Sequence, residues 1–261
     1  MSVKAKKHLG QHFLKDENIC RKIAKEFRGH QQCEIILEIG PGMGALTKFF
    51  LELPNVDLHL MELDLESIGY LQNAYPELIN KSYHKDFLKE DLQAYFGQKA
   101  FAVVGNFPYN ISSQILFKCL AYRNQIPEIM GMFQKEVAVR IAEKPGSKNY
   151  GILSVLMQAF YDISYCFTVD EHVFNPPPKV KSGVISCVRN SRKKLNCDEQ
   201  LFFKLVKTAF NQRRKTLRNA LKPLIDTRAL HNPLLDSRAE QLSVEQFITL
   251  TKDVENIIKQ H

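Results

Sequence analysis

A short β-branched run that feeds three closely spaced glycines constrains this chain more than any other segment. Glu34 to Ile39 (EIILEI) reads as a strand, GPGMG (Gly40 to Gly44) as a tight turn and Ala45 to Leu53 as a helix. Strand and helix signals then alternate. DLHLMEL (Asp57 to Leu63) predicts a second strand, Asp64 caps a helix to about Ala74, and SYHKDF carries a short third strand. FAVVGN (Phe101 to Asn106) predicts a buried fourth strand and Ser112 to about Tyr122 a helix. IPEIMGMF (Ile126 to Phe133) is a fifth strand and QKEVAVRIAE the next helix. YDISYCFTV and GVISCV read as the last strands, on either side of the triple proline at 176 to 178. This alternation predicts an α/β fold with a mostly parallel sheet covered on both faces.

Ahead of the first strand, a basic arm leads to Asp16, which can cap a helix with Ile19, Ile23 and Phe27 on one stripe. Past Arg189 the β signals stop. DEQLFFKLVKTAF, RRKTLRNAL and SVEQFITLTKDVENIIK are helical patterns, so residues 1–188 and 189–261 are expected to form a catalytic-type α/β domain and a small α-helical domain. With 44% hydrophobic and 25% charged residues, the composition argues against long disorder. The six cysteines form no CxxC pair, which points to free thiols in a reducing cytosol, and no metal site is expected. No apolar run has signal-peptide or membrane-spanning length, so a cytoplasmic location without membrane association is expected.

The net charge of +8 is unevenly placed. Residues 1–185 carry 21 Lys and Arg against 20 Asp and Glu, whereas 186–261 carry 15 against 8. Arg189 to Lys222 alone holds 11 basic residues and two acids, so it is either a phosphate-binding surface or a solubilising face.

The glycines Gly40, Gly42 and Gly44 let the backbone approach a ligand, and Glu62 ends the next strand where a nucleoside ribose would lie. The same letters satisfy a dinucleotide fingerprint through Ala45, and a structural glycine turn is a further alternative. Asp86, after the third strand, can accept a hydrogen bond from an adenine amino group, or simply cap a turn. Asn106-Phe107-Pro108-Tyr109 narrows the choice. Adenine N6 is a poor nucleophile because its lone pair is delocalised, so a methylase must hold the amine with acceptors in line with the methyl donor. The Asn106 side-chain oxygen and the Phe107 carbonyl can accept the two N6 hydrogens, Pro108 stiffens the turn, and Tyr109 offers a ring for an extruded base.

GQHFLKD (Gly10 to Asp16), ILEIGPGMGALT, MELD, NFPYNISS (Asn106 to Ser113), QKEVAVR, VFNPPPKVKSGV and AFNQRRKTLRNAL stand in the order found in the ribosomal RNA adenine dimethyltransferases, which the chain resembles over nearly its whole length. The resemblance implies a Rossmann-like class I methyltransferase sheet and S-adenosylmethionine as methyl donor. It implies dimethylation of N6 on two adjacent adenosines in the 3′-terminal hairpin of small-subunit (16S) rRNA, with a role in small-subunit biogenesis. Matched to the family pattern, His12, Leu14, Gly40, Glu62, Asp86 and Asn106 contact the donor. Asn106 and Tyr109 serve the target adenine, with Phe174 covering it opposite Tyr109. His12 stands where many relatives have Asn, and Lys181 where an acid is expected. The expected partner is small-subunit rRNA within the small ribosomal subunit or its precursor, met by a monomer. Arg213, Arg214, Lys215 and Arg218 fit phosphate contacts.

Three rival readings compete with this one: a large-subunit rRNA adenine methylase with the same chemistry, a non-catalytic ribosome-assembly or nucleic-acid-binding factor, and a NAD-dependent dehydrogenase. The last leaves NFPY and the basic tail unexplained.

Overall fold

Residues 3–260 are described by a computed structural model. A two-residue strand, β1 (Phe13–Leu14), precedes helix α1 (Glu17–Glu26), whose N-terminus is capped by Asp16 through Oδ1 and the amides of Asn18 and Ile19. Its buried face carries Cys20, Ile23 and Ala24. Then come β2 (Ile35–Ile39), α2 (Thr47–Leu51), β3 (Asp57–Glu62) and α3 (Leu65–Ala74), the last capped by Asp64 on the Glu66 amide. Next are β4 (Ser82–His84), α4 (Gln93–Phe96), β5 (Ala102–Asn106), α5 (Ser112–Ala121), β6 (Glu128–Gln134) and α6 (Lys135–Ala142). Beyond these are α7 (Ile152–Gln158), β7 (Tyr161–Val169), β8 (Phe174–Asn175) and β9 (Ser182–Arg189). The chain closes with α8 (Glu199–Asn211), α9 (Leu217–Ala220) and α10 (Val244–Gln260).

Seven strands form one sheet in the order β4-β3-β2-β5-β6-β9-β7. The pairs from β4 through β6 are parallel, and β9 runs antiparallel to β6. The central strands are apolar on both faces because both are covered: Ile36, Leu37, Val103, Val104, Ile129 and Met130 are fully buried. From β2 the chain steps outward to β3 and β4, then crosses back to β5 on the other side. The carboxyl ends of β2 and β5 therefore diverge at the crevice where open α/β sheets bind ligands.

Two compact units are defined by contacts, Met1–Ala138 with Asp162–Arg189, and Val139–Tyr161 with Asn190–His261. The expected partition into 1–188 and 189–261 differs from this one at Val139–Tyr161, which groups with the C-terminal helices. Its helix α7 is not predicted by periodicity. Leu153 to Met157 are all buried, so the segment is apolar all round and shows no stripe. Expected helix 45–53 is shorter, because residues 42–46 form turns. All six cysteines are free thiols. Among the described residues no helix is long and apolar enough to cross a membrane.

Candidate functional site

The carboxyl ends of β2, β3 and β5, the loop after β4 and the arm segment 8–14 enclose a cavity of about 260 Å³. His12, Leu14, Gly40, Glu62, Asp86, Asn106 and Tyr109 all line it. Gly40, Gly42 and Gly44 have φ of +65°, +57° and +78°, so the turn is left-handed three times over. A Cβ on Gly42 would also sit 2.8 Å from the Phe13 ring, so the glycine lets the arm close over the turn.

Glu62 is buried and already oriented. Its Oε2 accepts the Gly42 amide at 3.0 Å, and its Oε1 accepts the amides of Leu63 and Asp64 at 2.8 and 2.9 Å. Burial pushes its carboxyl above the usual range, against these three amides, which favour the anion. Glu38, one residue before the end of β2, also lines the cavity and is buried, with its Oε2 accepting the Thr47 hydroxyl at 2.6 Å. Burial, with the Glu62 charge adding to it, pushes the Glu38 carboxyl up to about 8. Two buried carboxyl groups thus face one cavity, partnered by a hydroxyl and backbone amides and not by a basic side chain. That donor set suits a cationic ligand. Glu38 escapes sequence reasoning because a lone acid inside an apolar strand carries no spacing signal.

Asp86 is a quarter exposed at the cavity edge. Its Oδ1 accepts the Leu88 amide at 3.0 Å, and Lys89 lies 3.7 Å from its Oδ2.

Asn106 ends β5, and its Nδ2 donates to the His12 carbonyl at 2.8 Å. This bond sets the orientation of the amide and leaves Oδ1 as its remaining acceptor. The Phe107 ring is buried against two strand glycines. A Cβ on Gly131 of β6 would lie 2.1 Å from Phe107 Cε2, and one on Gly105 would lie 2.5 Å from the Ile39 carbonyl. The flat side of β5 and β6 is what seats the tetrapeptide, a requirement that neither glycine advertises in sequence. Gly131→Ala is expected to cost about 2 kcal/mol through overpacking. A thermal melt should show a Tm about 5 °C lower, and an unchanged Tm would mean that Phe107 is not held there.

Tyr109 is half-buried, with its hydroxyl 2.6 Å from that of Ser182 and its ring stacked on His12 at a centroid distance of 5.5 Å. Burial raises its pKa, opposed by the Ser182 bond. The His12 Nδ1–H donates to the Pro176 carbonyl at 2.8 Å. His12 and Tyr109 also line a second cavity of about 450 Å³, walled by Gln134, the triple proline and Val180.

Leu14 and Phe174 are exact partners in a two-residue antiparallel ladder between β1 and β8. Leu14 lines the first cavity, but Phe174 is 1% exposed, packs in the core and lines neither cavity. The structure thus joins Tyr109 to His12 and not to Phe174. Lys181 pairs with Asp170 at 2.6 Å. In the second unit, Arg218 is held by Asp236 at 2.9 Å, and Arg213 donates to the Ser147 carbonyl at 3.4 Å. Arg214 and Lys215 are exposed. Among the described residues no three His, Cys, Asp or Glu side chains gather as a metal-binding group.

Comparison with known proteins follows the same lines. Residues 2–256 match the family described as ribosomal RNA adenine dimethylase. Proteins named ribosomal RNA small subunit methyltransferase A are similar to this chain. The one from Cytophaga hutchinsonii is 57% identical over 95% of this chain and 96% of its own length, and that from Parabacteroides distasonis is 58% identical over 95% and 93%. Among solved structures, a dimethyladenosine transferase from Plasmodium falciparum superposes with a TM-score of 0.77 at 24% identity, covering 95% of this chain and 98% of that one. The 23S rRNA methyltransferase ErmE superposes with a TM-score of 0.68 at 22% identity, over 92% and 99%. At those identities the likeness is one of fold, that of Rossmann-like class I methyltransferases.

Proposed function

Because this chain belongs to the ribosomal RNA adenine dimethylase family, we propose that it dimethylates N6 of two adjacent adenosines in the 3′-terminal hairpin of small-subunit rRNA, with S-adenosylmethionine as donor. The relatives named for the small subunit favour that substrate over the large-subunit rRNA of the rival reading. The observation that carries the chemistry is the Asn106 amide, turned by the His12 carbonyl so that Oδ1 is available to an amine.

The cavity residues fit the donor. Gly40 and Gly42 allow close approach, Glu62 would hold the ribose and Asp86 the adenine amine, and the acidic pair Glu38 and Glu62 would match a cation. When bound, the donor supplies a methyl group on a sulfonium. Asn106 Oδ1 and the Phe107 carbonyl hold the two N6 hydrogens of the target, aligning its lone pair with that methyl. The N6–C bond forms as the S–C bond breaks, leaving S-adenosylhomocysteine, and the alkylated amine releases its proton to water. Tyr109 supports the flipped base from the second cavity, and His12 must yield part of its stack when the base enters. Phe174 covers the base only if the β1–β8 ladder shifts. Residues 189–261 serve as the RNA-binding part, with Arg214 and Lys215 among the exposed basic side chains that can meet phosphate. The protein acts as a cytoplasmic monomer on the small subunit or its precursor.

The test is methyl transfer from labelled donor to undermethylated small and large ribosomal subunits, with the product mapped by nuclease digestion and mass spectrometry. Dimethyladenosine in the small-subunit 3′ hairpin is the expected result. Label confined to the large subunit would move the protein to the other substrate, and tight binding without transfer would make it an assembly factor.

A further inference from the structure

Helix α5 starts just after the tetrapeptide that holds the target amine, and at its C-terminal end the Tyr122 hydroxyl accepts the Leu92 amide at 3.4 Å. Lys118, near that end, reaches into the loop that follows β4, and its Nζ donates to the carbonyls of both Phe87 and Glu90. The ammonium also lies 5.1 Å from the centre of the Phe87 ring and 6.0 Å from that of Tyr122. Tyr122 adds a second tie, its hydroxyl donating to Asp91 at 2.9 Å. Phe87 is buried, and both it and Asp86 line the donor cavity. Lys118 itself lines no part of that cavity, so it does not touch a ligand there.

The loop turns on itself, with the Lys89 and Glu90 amides donating to the Asp86 carbonyl at 2.9 and 3.3 Å, and two carbonyls converging on one cation tie that turn to α5 more firmly than either would alone. Asp86 immediately precedes the first of these carbonyls. We propose that Lys118 is a positioning residue for base recognition: by clamping the Phe87 and Glu90 carbonyls from α5, it sets the Asp86 carboxylate where it selects the adenine amine of the methyl donor. This rests on the reading of Asp86 given above. The clamp also ties the donor's base to the helix that begins at the target-holding tetrapeptide. Burial lowers the pKa of Lys118, while the carboxylates of Asp86, Glu90 and Asp91 raise it.

The experiment measures binding of S-adenosylhomocysteine and S-inosylhomocysteine to the full chain by calorimetry. The second probe carries a carbonyl oxygen in place of the amine and so repels a carboxylate. Wild type is expected to prefer the adenosyl compound by at least about ten-fold. Lys118→Met should bring that ratio close to one, Lys118→Arg should restore part of it, and Asp86→Asn should abolish it, with no further loss in the double variant. Lys118→Gln, which can still donate to one carbonyl, carries the same test if Lys118→Met does not fold. If both probes weaken equally and the ratio survives, Lys118 is merely structural and the proposal is overturned. If wild type binds the adenosyl compound but shows no preference, the reading of Asp86 fails and the proposal with it. Failure of wild type to bind either probe would overturn the donor assignment itself.

Discussion

Asn106→Ala is expected to lower kcat for transfer to small-subunit rRNA by about 10²- to 10³-fold, the range for removing one preorganised polar group from a charge-developing centre. The side chain holds one of the two N6 hydrogens in the proposed geometry, and without it the amine lone pair is free to rotate back into conjugation with the ring. Asn106→Asp separates two parts of the role. The carboxylate keeps an acceptor but loses the Nδ2 donor that bonds the His12 carbonyl at 2.8 Å. Its two oxygens are then oriented by nothing on the arm, and they face a carbonyl oxygen. Asp at 106 is therefore expected to be nearly as slow as Ala. Because Asn106 is only partly buried, both variants should melt close to wild type, so a rate loss is not a folding loss. Retention of more than about a tenth of the wild-type rate by Asn106→Ala would remove the residue from the transfer step.

A second large effect is expected from pH. The Glu38 carboxyl is buried and pushed up to about 8 in the folded chain, whereas it titrates near 4.3 when unfolded. Between these values the folded state binds more protons than the unfolded one, so stability falls as pH rises from about 4 to about 8, and the effect levels off above that. A shift of this size corresponds to a few kcal/mol across the window. Glu38→Gln keeps an acceptor for the Thr47 hydroxyl and carries no charge. It should flatten the slope and, near pH 8.5, melt above wild type. Thermal melts of both proteins from pH 5 to 9 make the comparison, and parallel curves would show that Glu38 titrates normally. Glu62, also raised by burial, acts in the same direction in both proteins. A cationic donor in the same cavity favours the carboxylate form of Glu38. Binding of S-adenosylmethionine below pH 8 should therefore release protons, measurable as a dependence of the calorimetric heat on buffer ionisation enthalpy.

The parts legible in sequence are those whose chemistry is local. GPGMG announces its turn because left-handed backbone is what glycine permits, and all three glycines adopt it. Glu62 and Asp86 are legible because strand ends in a parallel sheet share one crevice, and both line the cavity. Asp16 and Asp64 announce their helices because a cap is made within three residues of itself. Periodicity also gives out for local reasons. Helix α7 is apolar on every side, so its burial erases the pattern that would reveal it.

What lies beyond the sequence depends on which distant backbones meet. No spacing places the His12 carbonyl on the Asn106 amide 94 residues away, or the buried Glu128 carboxylate on the amides of Arg28 and His30 at 2.9 Å each. Gly105 and Gly131 look like ordinary strand glycines until the Phe107 ring is seen against them. Phe174 shows the opposite case. The resemblance sets it at the target base, but the ladder with β1 turns its ring into the core. The sequence by itself determined the strand-turn-helix units, the residue types at the strand ends and the chemistry they can serve, because these follow from backbone conformation and side-chain functional groups over a few residues. Only the tertiary structure decided how the arm, the glycine turn and the tetrapeptide orient one another, because those contacts arise from packing between segments whose separation in the chain leaves no local trace.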